Sequence, residues 1–259
     1  MLKRLLAKFH VLVHNLRGPS DNHPEGDHYF IDSGYITTGR NYEKHSENAR
    51  QLNRKDGLVH MRELIHAHTL LLGVIGKMLK VNANKPALIM NEVISRRFVL
   101  TAAFIQGISL CEQSILQGLY LQAGNLIRQE YETLGLLAET KAGKRKDGKV
   151  VNAKHVPRNG HKLYGMLSSF AHLSDHKILD SIIGYNTTWG DFASTVPQYQ
   201  KENAARLYSF HTTEVLGIVE ELQNLYGEIY GYKPDDRESE VVDVAYSVLV
   251  KHGVFKIPN

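Results

Sequence analysis

"GNLIRQEYETLGLLAE", residues 124–139, sets Arg128, Glu130 and Glu132 close together in a stretch otherwise suited to a packed helix. On a wheel of 100° per residue, Leu119, Ala123, Ile127, Leu134, Leu137 and Ala138 share one arc. That is the apolar period of a helix lying on a core. Glu130 falls inside the arc, whereas Arg128 and Glu132 lie together on another side, near Leu121, Gly124 and Gly135. An Arg and a Glu four residues apart form a pair. On a solvated face such a pair contributes about 0.3–0.5 kcal/mol, but under cover an unpaired charge costs several kcal/mol. The small and apolar neighbours predict that a second helix approaches this face and brings polar groups with it.

"YGMLSSFAHLSDH", residues 164–176, supplies that partner. Leu163, Leu167, Phe170 and Ala171 form an apolar stripe, and Ser168, His172 and Asp175 follow one another along a neighbouring face. Their hydroxyl, imidazole and carboxylate are expected to meet Arg128 and Glu132. Two outcomes are open: an ion-pair network that fixes helix register, or a ligand or catalytic pocket.

Outward from these helices the period stays helical. Val59, Leu64, Leu71, Leu72, Ile75, Met78 and Leu79 mark a helix ending near "VNANKP". Pro86 is expected to open the next, running to Gln106 or Gln117, with Gly107 and Gly118 as possible breaks. "GYNTTWGDFASTVPQ" reads as a loop, residues 197–230 as a long helix, and "SEVVDVAYSVLVKHG" as a last helix with Gly253 as its C-cap. Residues 18–56 are rich in Gly, Asn, Asp, Ser and His; within them "HYFIDSGYITTG" suggests a short strand or an extended arm. Residues 1–17 form a basic amphipathic segment expected to pack on the body or on a twin subunit, with an anionic membrane surface as the alternative. The fold class is therefore all-α, an antiparallel helical bundle (residues 58–259) preceded by an amphipathic helix and irregular arm (residues 1–57).

The chain has 259 residues, 42% of them hydrophobic and 22% charged, enough for a sizeable core. A formal charge of +4 is short of what a dedicated nucleic-acid coat carries. The single cysteine, Cys111, excludes an internal disulfide framework, fits a reducing cytoplasm and is expected as a packed thiol. No uninterrupted apolar run reaches the roughly 18 residues of a membrane span, so no transmembrane segment is expected.

Gly118, Ala123, Arg128 and Glu132, followed by Tyr164, Leu167, Ser168 and His172, carry a family resemblance. This Gly-x4-Ala-x4-Arg-x3-Glu helix, with a Tyr-x2-Leu-Ser-x3-His helix after it, resembles an uncharacterised group of bacterial all-helical proteins. These are similar to abortive-infection proteins and, more loosely, to the HEPN (higher eukaryote and prokaryote nucleotide-binding) bundles. The likeness spans about residues 90–230. The HEPN kinship implies an RNA-directed ribonuclease or toxin that uses Arg-x4–6-His. His moves protons near neutral pH, and Arg holds the phosphate and its developing charge. "RLYSFH" offers Arg206 and His211 at that count, although Leu207 stands where a polar residue is usual, and a mid-helix placement sets the two about 140° apart. The candidate catalytic groups are thus Arg128, Glu132, His172, Arg206 and His211.

"KAGKRKDGKVVNAKHVPRNG" contains the strongest basic cluster, with Lys144, Arg145, Lys146, Lys149 and Arg158 as candidate phosphate or RNA contacts. Its Gly143-x4-Gly148-Lys149 count is not a P-loop, because Val150 stands where Ser or Thr would hold magnesium and no strand precedes it. Glu63-x2-His66 has the spacing of di-iron bundles but lacks its second copy, and His60, His66 and His68 do not share one helix face. No metal and no cofactor are expected. Two functions stand together: a cytoplasmic RNA-directed defence protein, or a non-enzymatic interaction module or homodimer subunit whose Arg-Glu-His network is structural.

Overall fold

The computed structural model describes residues 28–152, 155, 164–165, 167–168, 176–187 and 190–254. Within them run helices α1 (His28–His60), α2 (Arg62–Asn82), α3 (Glu92–Leu116), α4 (Tyr120–Lys141) and α5 (His176–Ile183). A hairpin of β1 (Gly184–Thr187) and β2 (Gly190–Ala193) follows, then α6 (Lys201–Tyr230) and α7 (Asp236–Lys251). The protein is an all-α helical bundle with one small hairpin among the described residues.

Helix α6 is the axis. It packs against α2, α3 and α4, while α7 covers α2 and α4 folds back along α3. Leu207, Val215, Ile218, Val219, Leu222 and Leu225 of α6 are all buried, as are Leu64, Leu71, Ile75, Ile115 and Ile127 of the surrounding helices. Each such side chain contributes about 1.5–3 kcal/mol by leaving water. Arg97 of α3 is also buried, and it donates through Nε to Glu221 (2.7 Å) and through a terminal nitrogen to Glu228 (2.7 Å) on α6. Two carboxylates around one guanidinium offset the large cost of burying it.

Local chemistry fixes the element ends. Asn91 caps α3 by accepting from the Ile94 amide, and Asp235 caps α7 by accepting from the Glu238 amide. Gly118 ends the α3 segment at φ +77, a left-handed conformation where a Cβ would also lie 2.6 Å from the Asn53 side chain. Asn53 of α1 donates to the Gln117 carbonyl, so this turn is held from outside as well.

Several expectations change. Residues 28–56 are helical, not extended or irregular. Helix α1 is largely exposed, with Ser46, Asn53 and Gly57 as buried positions, so it shows little apolar period in the sequence. Helix α3 begins at Glu92 rather than Pro86, because Asn91 provides the cap and the residues before it form a loop whose Leu88 amide bonds to Ile229. Gly107 lies inside α3 without breaking it. Within the loop expected at residues 184–198, residues 184–187 and 190–193 pair as antiparallel strands, Gly184 facing Ala193 and Thr187 facing Gly190. Helices α2 and α3 are long and apolar enough, by length and composition, to cross a membrane, with 39% of each apolar window buried in the bundle. Neither contains an uninterrupted apolar run of about 18 residues, and both pack within the bundle. The amphipathic stretch of residues 1–17 lies outside the described residues.

Candidate functional site

Arg128 and Glu132 occupy successive turns of α4, and both are partly buried. Arg128 Nε donates to Glu132 Oε1 at 3.0 Å. The polar group that meets them is the Tyr164 hydroxyl, which the expectation of Ser168, His172 and Asp175 did not include. This hydroxyl accepts from the other arm of Arg128 at 3.2 Å and donates to the same Glu132 oxygen at 3.0 Å. The Arg128 guanidinium also lies 5.2 Å from the centre of the Tyr164 ring. The result is a closed triangle in which each polar group satisfies the other two. Ser168, one helical turn on, is half-buried, and Leu167 is fully buried. His172 and Asp175 lie outside the described residues.

The Arg206 and His211 pair is not brought together as a catalytic unit. His211 is wholly buried and holds Glu130 of α4, with Nδ1 2.9 Å from a carboxylate oxygen. Arg206 is exposed and sits over the Phe210 ring at 5.7 Å. Their helical separation directs one side chain inward and the other to the surface. The basic loop is exposed at Lys144, Lys146 and Lys149, while Arg145 is partly covered. Arg145 donates to the Lys149 carbonyl and reaches Glu139, and Asp147 pairs with Arg96 of α3. Glu139 also receives the Asn152 amide and faces His155 Nδ1 at 3.1 Å. Arg158 lies outside the described residues. Glu63 is taken up by Lys251 and His252 at the surface, and His60 stacks on Tyr199, so neither joins a metal set with His66.

The bundle interior holds a polar centre that no motif announced. His68 of α2, Cys111 and Glu112 of α3, Glu130 of α4, and Tyr208 and His211 of α6 converge there. The His68 and His211 rings lie 4.9 Å apart, and Tyr208 meets both edge-on. Tyr208 donates to Glu112 at 2.7 Å, and His68 Nδ1 stands 3.5 Å from the same oxygen. The latter is an ion-pair distance rather than a hydrogen bond. His68 beside its carboxylate, with Tyr208 donating, holds Glu112 down at about 2 against the opposing pull of burial. Burial, reinforced by the neighbouring Glu130 charge, pushes the Cys111 thiol well up and keeps it protonated.

Unmet bonding capacity remains at this centre. His211 Nε2, Glu130 Oε1 and both ring nitrogens of His68 are buried without a hydrogen-bond partner among the described residues. Such groups cost free energy, and each asks for an explanation. The signal in the sequence was Glu130 inside an apolar arc; the partners on other helices were invisible to a single-helix wheel. No protein-family model, curated protein or solved structure matches the chain.

Glu112 gives the centre an acid signature. Its folded value of about 2 lies below the ordinary 4.5, so its contribution is present above 4.5 and is lost as pH falls toward 2. Urea unfolding midpoints measured across that interval are expected to decline less steeply in Glu112→Gln than in the parent chain. Equal slopes would show that Glu112 is not held ionised by the fold.

Proposed function

We propose that the protein is a non-enzymatic helical interaction module that pairs with a second copy through the outer face of α3. The carrying observation is a charge-free stripe on that helix. Val99, Ala103, Gln106 and Leu110 recur on one side and are all exposed, Val99 at 66% and Leu110 at 57%. The stripe runs about 16 Å at the 1.5 Å helical rise. Its small central Ala103 between two larger aliphatic side chains lets a like face settle into it, and an uncharged stripe is self-complementary across a two-fold axis. Exposed Leu88, Ile89 and Met90 continue the apolar character in the loop before α3. In this reading the Arg128–Glu132–Tyr164 triangle sets helix register, since its groups are already satisfied by one another.

Light scattering on the full chain is expected to give a dimer that Val99→Glu and Leu110→Glu convert to a monomer of unchanged helical content. A parent chain that stays monomeric at high concentration contradicts the reading. Co-flotation of the monomer with lipid vesicles would replace the second copy by a membrane surface.

A second reading, a cytoplasmic RNA-directed ribonuclease of a bacterial defence system, is favoured by the Glu139–His155 pair beside the exposed lysine loop. Glu139 at Nδ1 orients the imidazole for proton transfer, while Lys144, Lys146 and Lys149 attract phosphate. Expression is then expected to degrade cellular RNA and halt growth, with both effects lost in His155→Ala. Intact RNA in the parent strain, or undiminished degradation by the variant, removes this reading.

A further inference from the structure

Three metal-ligating side chains meet inside the bundle. Cys111 of α3, Glu130 of α4 and His211 of α6 are each buried, and one ligand atom from each lies within 4.8 Å of the other two. They come from three helices that all pack on one another, α6 being the shared neighbour. Two further observations point to a ligand there. Glu130 Oε1 and His211 Nε2 have no hydrogen-bond partner among the described residues, although both side chains are more than nine-tenths buried. The His68 ring lies 4.9 Å from that of His211, and its Nε2 is likewise unpartnered.

We infer that this centre binds one divalent transition metal of the zinc type, through Cys111 Sγ, a Glu130 oxygen and a His211 nitrogen, with His68 beside the fourth position. The donor set fits. A thiolate with imidazole and carboxylate suits zinc and its cobalt substitute, and excludes calcium and magnesium, which take oxygen. Zinc ligands stand about 2.0–2.3 Å from the ion, which puts tetrahedral ligand atoms ~3.3–3.8 Å from each other. With every pair of ligand atoms within 4.8 Å, closing to those values takes at most about 1–1.5 Å of side-chain movement. Charge balances as well: one thiolate and one carboxylate neutralise the divalent cation, and the Cys111 proton is released to solvent on binding. Glu112, 3.5 Å from His68 Nδ1, occupies the place from which a carboxylate orients a metal-facing histidine. The ion would clamp α3, α4 and α6 together at the level where the core is polar, and this holds under either functional reading.

Cobalt(II) titration of the chelator-treated full chain provides the test. The expected result is a thiolate-to-cobalt charge-transfer band with tetrahedral visible bands, saturating at one ion per chain and displaced by zinc. The charge-transfer band disappears in Cys111→Ser. Glu130→Gln and His211→Gln, checked for unchanged helical circular dichroism, bind cobalt at least about tenfold more weakly. If one of them fails to fold, zinc addition to the parent chain still decides, because it must raise the thermal midpoint. A helical parent chain that develops no charge-transfer band overturns the proposal. So does a band of full affinity in both Glu130→Gln and His211→Gln, since the thiol would then be binding without its neighbours.

Discussion

Every helix of the core answers to the burial of α6. That helix packs on α2, α3 and α4, and it carries Tyr208, His211, Thr212 and Glu214 inward together with its aliphatic residues. A buried polar group must find a partner or cost free energy on the order of 1–3 kcal/mol. The surrounding helices are therefore constrained at one level to present His68, Glu112, Cys111 and Glu130. Shifting any of them by one turn would move a carboxylate or an imidazole against an aliphatic neighbour. Apolar packing supplies most of the stabilisation, and the polar layer specifies which register the helices adopt.

The outer polar cluster plays a different part. Arg128, Glu132 and Tyr164 form a triangle at the rim of α4, partly open to water, where ion pairs contribute little each. Its value lies in orientation, because a planar guanidinium that donates to a carboxylate and a phenol at once accepts few geometries. It fastens the segment around Tyr164 and Leu167 to the bundle, with Leu167 buried in the main core. The exposed, uncharged stripe on α3 is unlike either cluster, since nothing among the described residues covers it.

The helical architecture was legible because α2, α4, α6 and α7 each show an inward stripe at the helical period, and Arg128 with Glu132 was legible as a pair at one-turn spacing. Glu130 stood out as an acid within an apolar arc. Its partner was not legible: His211 is 81 positions away on another helix, and its count from Arg206 suggested a surface chemistry that the helix geometry does not produce. Cys111 reads as a packed thiol among apolar neighbours, and the sequence sets His68 only against the nearby His60 and His66. Helix α1 was missed for the opposite reason, since a helix bathed in solvent for most of its length writes no apolar period into the sequence.

All of this depends on the polar centre being sealed within the bundle, and Cys111 reports on it directly as the chain's single thiol. Its reaction with a thiol-specific disulfide reagent, followed under native conditions and across a denaturant series, is the most direct measurement. With the side chain fully buried, labelling is expected to be negligible in the native protein and to follow the global unfolding transition. Rapid labelling of the folded chain without denaturant would show that the centre is open to solvent, contradicting the account.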